Sequence, residues 1–370
     1  MQDKEKTTHC HECAAKVTLP GTQKPHKAFC PRCGNLLTVV RAKAHQRTAI
    51  FSLTAIVFLF LSLPFEFISF SAAGKTQSIT IPSGLLVLVE NNYLTLAIIE
   101  SFFILFLPAL VLCSIFLLTW RVSQKQQNKV NKRLTHFIFQ LQPWCMAEIF
   151  LISVLVSLVK IVTLADIAFG PAFFTFCGFV LFSTLTFIYL DEHQLRAATG
   201  ARLPAHFHSH PTSVQKTWAL LITAALLYIP ANVWPIMQTN VLGQSELSTI
   251  LGGVILLWES GSYPIALIIL VASVVVPVAK LMILCWLNVR VQTGKVKHPR
   301  KMMSWYRLTE LIGKWSMVDV FVVAILVSLV QLGGTMTIYP GPAALSFTAV
   351  VVLTMFAAHS FDSTLLWKHK

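Results

Sequence analysis

Charge is what this sequence lacks. Asp, Glu, Lys and Arg make up 12% of the 370 residues and 55% are apolar, whereas soluble domains carry roughly 25% charged residues. The deficit falls on the acids, 15 Asp and Glu against 29 Lys and Arg. A chain of this composition is a polytopic membrane protein, not a soluble domain. No G-x-x-x-x-G-K-[ST] phosphate loop occurs, so ATP use by this chain is not expected. No H-E-x-x-H and no assignable Ser-His-Asp set occur either, and the chain is not expected to be an enzyme. His359 is the only clear histidine within a span, which leaves a membrane redox protein without the paired histidines that haem requires. Residues 1–47 are polar and lysine-rich, with no apolar core of a signal peptide.

Apolar runs of about 20 residues, enough to cross about 30 Å of hydrocarbon, recur eight times, near 48–70, 95–120, 144–165, 171–190, 217–237, 262–288, 315–334 and 342–361. The net charge of +14 invites a nucleic-acid reading, but the basic residues alternate by loop. They fill the N-terminal segment, the loop 121–133, the linker with Arg196, Arg202 and Lys216, and the stretch 290–314. That alternation predicts both termini and the basic loops on the cytoplasmic side, with anionic headgroups rather than nucleic acid as the partner of the charge.

Cys10 and Cys13, followed after 16 residues by Cys30 and Cys33, form a C-x2-C pair of pairs with zinc-ribbon spacing. Two such knuckles present four thiolates in a closed tetrahedron with no open position for water, so one structural zinc ion is expected. A disulfide pair and a redox or iron site are the alternatives; a cytoplasmic location disfavours the disulfides. Pro31 and Gly34 suit the tight turn of a knuckle. Cys113, Cys145, Cys177 and Cys285 are scattered through spans as packing residues.

The chain repeats itself. WCMAEIFLISVLVSLV at 144 aligns with WSMVDVFVVAILVSLV at 315, an offset of 171 that carries Gly170-Pro171-Ala172 onto Gly341-Pro342-Ala343 and Asp191 onto Asp362. At the same offset Pro64 falls on Pro235, while Pro108 pairs with Pro277 after a two-residue slip. The expectation is an all-α polytopic membrane protein of two tandem four-helix units in parallel orientation: a cytoplasmic zinc ribbon over 1–44, a first unit over 45–192, a linker over 193–212 and a second unit over 213–370. The segments SITIPSGLLVLVENN at 78 and LSTILGGVILLWESGSYP at 247 are read as lying at the outer interface, with a ninth span as the alternative for the second.

The CHEC and CPRC knuckles, WCMAEIFL, TILGGVILLWESGSYP, VASVVVPVAK, GKWSMVDVFVVAILVSLV and IYPGPAALSF closely resemble the paraquat-inducible protein A family over nearly the whole chain. The resemblance implies an inner-membrane protein of a Gram-negative envelope that works with a periplasmic MCE-domain tunnel protein in moving phospholipids between membranes. Familiar members carry a second four-cysteine ribbon between their membrane units. Here the linker DEHQLRAATGARLPAHFHSHPTSVQ has no cysteine, which puts the bracing of the two units in doubt; His206, His208 and His210 are read as solvated.

Charges inside spans are functional candidates, since each costs about 2.5 to 3.5 kcal/mol on insertion scales. Glu148 and Asp319 are repeat-equivalent acids near the cytoplasmic boundary. Lys280 lies about ten residues before Arg290, roughly 15 Å deep, and its counterpart in the first unit is Val111. Lys280, Asp319, Ser273, Ser316, Ser328 and Thr354 are therefore predicted to form a polar pocket in the second unit, and the resemblance places the VPVAK lysine and the WSMVD serine and aspartate in the family's membrane pocket. A static ion pair or a snorkelling lysine is the alternative, and with it a passive membrane scaffold. Glu66, Glu100 and Lys160 are read as outer boundary residues, Asp191 and Asp362 as the cytoplasmic ends of their units.

Overall fold

The computed structural model describes residues 6–19, 26–41, 43–72, 75–90, 93–124, 129–161, 166–201, 211–241, 244–259, 261, 263–329, 331–332 and 336–367. The chain opens with two hairpins, β1 (Lys6–His9) with β2 (Lys16–Leu19) and β3 (His26–Phe29) with β4 (Leu36–Val40). The first half follows: α1 (Ala44–Ser62), β5 (Ile68–Ala72), β6 (Lys75–Ile79), α2 (Ile81–Glu90), α3 (Leu94–Ser101), α4 (Leu107–Ser123), α5 (Lys129–Leu141), α6 (Ala147–Ile161), β7 (Asp166–Phe169), α7 (Pro171–Tyr189) and α8 (Glu192–Thr199). The second half repeats the order with α9 (Pro211–Val233), β8 (Met237–Val241), β9 (Gln244–Ser248), α10 (Ile250–Glu259), α11 (Tyr263–Leu270), α12 (Val276–Gln292), α13 (Pro299–Trp315), α14 (Val318–Leu329), β10 (Gln331–Leu332), β11 (Met336–Pro340) and α15 (Pro342–Ser360).

The protein is mostly helical, and among the described residues seven helices are long and apolar enough to cross a membrane: Ala44–Ser62, Leu94–Ser123, Lys129–Leu158, Pro171–Tyr189, Thr212–Val233, Ala266–Gln292 and Pro342–Ser360. The segment 315–334 does not reach that length, because a turn at Ser316 and Met317 separates the amphipathic α13 from the 12-residue α14. The two segments read as interfacial form α2 and α10, each of 10 residues, or about 15 Å at 1.5 Å per residue. Thr80 and Ser83 cap α2 reciprocally: the Thr80 N–H donates to the Ser83 hydroxyl at 2.9 Å and the Ser83 N–H to the Thr80 hydroxyl at 3.2 Å.

An all-α chain was expected, and here the structure differs. At the end of the bundle opposite the cysteine hairpins, β5 pairs with both β6 and β7, and β8 with both β9 and β11. These strands are short and rich in Ser, Thr, Asn and Gln, so they read as polar loops; they pair because the helix ends bring them side by side.

Both halves contain a π turn, Phe102–Phe106 and Val271–Val275, immediately before the helices that carry Pro108 and Pro277. Proline has no N–H and its ring clashes with the carbonyl four residues back. That residue, Ile104 or Ser273, lies in the widened π turn, which relieves the clash without breaking the span. Backbone hydrogen bonds fix the repeat register here: Ala172 N–H donates to Glu66 O at 3.0 Å and Ala343 N–H to Pro235 O at 3.2 Å. Glu66, not Pro64, thus occupies the position of Pro235, an offset of 169 that Pro108 and Pro277 share, so the two-residue slip lies between those prolines and Trp144 and Trp315. The halves meet through α6 and α14, where the repeat-equivalent Phe150 and Phe321 touch edge to face at 6.0 Å.

Gly170 and Gly341 explain the shared Gly-Pro-Ala. A Cβ on either would lie 2.0 Å from Glu66 O or 2.1 Å from Pro235 O, a backbone-on-backbone approach that only glycine permits. Gly341→Ala is therefore expected to cost about 3 kcal/mol or more, whereas Gly253→Ala, which meets nothing within 4 Å on α10, is expected to be neutral or to stabilise by up to about 1 kcal/mol. Thermal unfolding of the two variants in detergent checks this, and equal midpoints would contradict it.

Candidate metal centre and polar membrane site

The two hairpins present equivalent knuckles. Cys10 N–H donates to Ala15 O at 2.9 Å and Ala14 N–H to Cys10 O at 2.8 Å; Cys30 and Gly34 repeat the pattern with Asn35 and Cys30 as acceptors, both at 2.8 Å. Ala14 (φ 55°) and Gly34 (φ 73°) are left-handed. Glycine adopts that conformation freely, but alanine there costs roughly 1 kcal/mol, so the first knuckle holds a strained alanine.

The four buried thiols of Cys10, Cys13, Cys30 and Cys33 all lie within 4.8 Å of one another, with Cys10 to Cys33 at 3.6 Å and Cys13 to Cys30 at 3.5 Å. A tetrahedron with metal–sulfur bonds of about 2.3 Å has edges of about 3.8 Å, so the four thiolates fit one ion as a closed shell. A hydrogen bond from Cys13 brings the Cys10 thiol down to about 4, while burial, the largest influence on Cys33, pushes its thiol up to about 12. Metal uptake must therefore release protons.

This body touches both halves. On the first, the Asp191 carboxylate accepts from Val39 N–H at 2.6 Å, from the Thr38 hydroxyl at 2.8 Å and from Gln194 N–H, as cap of α8, at 2.8 Å. On the second, Arg307 of α13 pairs with Glu12 and donates to Cys33 O at 3.3 Å. Arg300 donates to Arg32 O at 2.8 Å and Pro31 O at 2.9 Å, Ser363 donates to Glu12 O at 3.3 Å, and Arg32 stacks over Trp367 at 4.9 Å. The sequence reading made Asp191 a boundary residue and passed over Glu12 and Arg307. Asp191 does follow the end of α7, and it also anchors the hairpin pair.

In the membrane, Lys280 is 2% exposed, and among the described residues its Nζ has no hydrogen-bond partner. A Cβ on Gly313 would lie 3.2 Å from that Nζ, so the glycine leaves room for the amine. Ser316, one turn beyond Gly313, is buried with its hydroxyl likewise unpartnered, and Ser273 is buried two turns before Lys280 on the same helical run. Thr354 is buried on α15, which packs on α12 and α13, but its hydroxyl donates to Val351 O at 2.9 Å and is already satisfied. Asp319 and Ser328 belong to α14, and their side chains lie outside the described residues, as do His206, His208 and His210. Val111, the counterpart of Lys280, is buried among apolar neighbours.

Glu100 departs from the sequence reading. Read as an outer boundary residue, it is instead 7% exposed within the first half. Its signal was available: it sits several residues inside the predicted span 95–120 and eight before Pro108.

A four-cysteine cluster on a helical bundle with, among the described residues, seven helices able to cross a membrane defines a multi-pass membrane protein, and its relatives say which kind. The family model for paraquat-inducible protein A matches residues 45–199 and again 214–370, and the chain belongs to that family. It is 38% identical to the intermembrane transport protein PqiA of Escherichia coli K12, over 97% of this chain and 94% of the relative. It is 27% identical to a probable intermembrane transport protein of Haemophilus influenzae, over 98% and 96%. With the lipophilic envelope-spanning tunnel protein A of E. coli K12 it shares 25% identity over 97% and 90%. No solved structure matches the chain.

The docking contacts make a prediction. Asp191→Ala removes two hydrogen bonds to the hairpins and a helix cap, a loss of about 1 to 2 kcal/mol, and Arg307→Ala leaves Glu12 without its ion pair at a similar cost. Each variant is expected to speed amide exchange in residues 26–41 while keeping bound metal. Unchanged exchange in the double variant would show that the hairpins are held by other contacts.

Proposed function

We propose that this protein is the inner-membrane component of an intermembrane lipid transport system, passing phospholipid between the inner membrane and a periplasmic MCE-domain tunnel protein. The observation that carries the proposal is the buried amine of Lys280, which has no hydrogen-bond partner among the described residues. An ammonium in hydrocarbon is costly without a counter-charge, and a lipid phosphate supplies one, with the hydroxyls of Ser273 and Ser316 as further donors to its oxygens. Asp319, Ser328 and Thr354 complete the proposed pocket. The apolar contacts of α10 and α11 also favour the second half as the lipid side. Val254, Ala266 and Ile269 form a small cluster of their own while Ile250 of α10 joins the main core, to which the corresponding α2 and α3 contribute Ile81, Leu88 and Ala97. The names of the relatives, which speak of intermembrane transport and an envelope-spanning tunnel, support the same reading.

In this proposal the bundle comprises two tandem four-helix units, with α14 as the eighth crossing, and both termini are cytoplasmic. The concentration of Arg41, Lys43, Arg47, Lys129, Arg133, Arg290, Arg300 and Lys301 around the cysteine end favours that orientation. The tunnel protein would then dock at the strand-bearing end. One structural zinc ion holds the ribbon. Elemental analysis is expected to give one zinc per chain in the wild type and none in Cys13→Ser; iron in place of zinc would overturn this assignment.

The direct test of transport is mass spectrometry of phospholipid retained by the purified chain. Lys280→Ala is expected to retain several-fold less than the wild type. Equal retention, or none in either, would favour a passive scaffold for the tunnel protein and move the lipid path to the partner.

A further inference from the structure

Glu100 faces a second site. It lines a cavity of about 40 Å³ with Phe67, Thr80, Ser101 and Phe150 of the first half and Ile325 of α14. Glu100 itself is 7% exposed, and no hydrogen bond or ion pair reaches it among the described residues. The lining is apolar apart from this carboxyl and two hydroxyls. The site has no counterpart in the second half, where the two-residue slip places Ile269 at the position of Glu100.

We propose that this cavity binds the primary ammonium group of a phospholipid headgroup, with the Glu100 carboxylate as its counter-charge. An ionised carboxylate buried without a partner costs several kcal/mol, and a cation brought against it repays that cost. A primary ammonium adds N–H donors to its charge, which a trimethylammonium lacks. The space is that of a few water molecules, suited to the small group and not to a whole lipid. The rest of the molecule has a place to lie. Leu85 and Leu105 line the same cavity and are only half-buried, so the apolar surface beside the carboxyl continues outward to where acyl chains would lie. Thr80 and the ends of β5 and β6 put the cavity near the strand-bearing end of the bundle, at the depth where a headgroup meets hydrocarbon. This site goes beyond the Lys280 pocket and stands whether or not that pocket carries lipid.

The test loads delipidated full-length protein from mixed micelles of equal phosphatidylethanolamine and phosphatidylcholine and measures the bound ratio by mass spectrometry. The wild type is expected to enrich the ethanolamine lipid several-fold, Glu100→Gln to lose the enrichment, and Lys280→Ala to keep it even if its total bound lipid falls. Equal ratios in the wild type, or enrichment that survives in Glu100→Gln, would overturn the proposal. Loss of the enrichment on adding millimolar free ethanolamine, with no lipid bound in its place, would assign the cavity to a soluble amine and overturn the lipid assignment. Should Glu100→Gln fail to fold, carbodiimide labelling of Glu100 in the wild type replaces it: protection by phosphatidylethanolamine and not by phosphatidylcholine supports the site, and equal protection overturns it.

Discussion

The rest of the structure depends on four thiols held within 4.8 Å of one another. Two hairpins of four or five residues per strand have little apolar surface of their own, and a metal ion closing the four thiolates would add to the free energy of their folding. The body so formed binds Asp191 at the end of α7 on one side and Arg307 of α13 on the other. A single rigid piece thus joins the ends of both halves. The linker lacks the cysteines of a second ribbon, yet the halves are tied at that end by the one ribbon and further along by the Phe150 to Phe321 contact. Asp191 and Asp362 are repeat-equivalent, and each now has a different task. Asp191 accepts from the ribbon, whereas Asp362 accepts from Thr364 at 2.7 Å within the C-terminal turn, beside the Ser363 that reaches Glu12.

Much of this was legible in the sequence because the signals were local. Cysteine spacing foretold the cluster of four thiols, since two C-x2-C pairs sixteen residues apart match the spacing of paired knuckles. Gly-Pro-Ala in both halves carried the repeat register, although only the structure shows the carbonyl of Glu66 or Pro235 that requires the glycine. The π turns before Pro108 and Pro277 were not read from the sequence, although the clash each proline would otherwise make was a signal for them. Other features depend on contacts distant in the chain. The strands pair between segments up to about a hundred residues apart, as when β5 meets β7, and their polar residues carry no apolar alternation to betray them. The docking of Arg307 on Glu12 spans 295 residues and leaves no local trace. Glu100 was misplaced for another reason: its position was judged by distance from the span's end, and its fate was decided by α2 and α14 folding over it.

The repeat explains the architecture, and departures from it locate the chemistry. A duplicated unit begins with the same side chain at each equivalent place, and the apolar pairs Phe150 with Phe321 and Phe176 with Phe347 keep that symmetry in the core. Two ionisable groups within the bundle do not, although the acids Glu148 and Asp319 do. Lys280 stands against Val111 and Glu100 against Ile269, so the second half holds a buried amine and the first a buried carboxyl. Neither is required by packing, because in each case the other half packs an aliphatic residue at the same site. An ionisable group that the fold does not need, and that hydrocarbon penalises when charged, calls for a role in binding. In the reading proposed above, the two halves offer a zwitterionic amphiphile two places, Lys280 for its phosphate and Glu100 for its ammonium. On that reading the difference between the halves, and not their shared fold, is what selectivity would rest on.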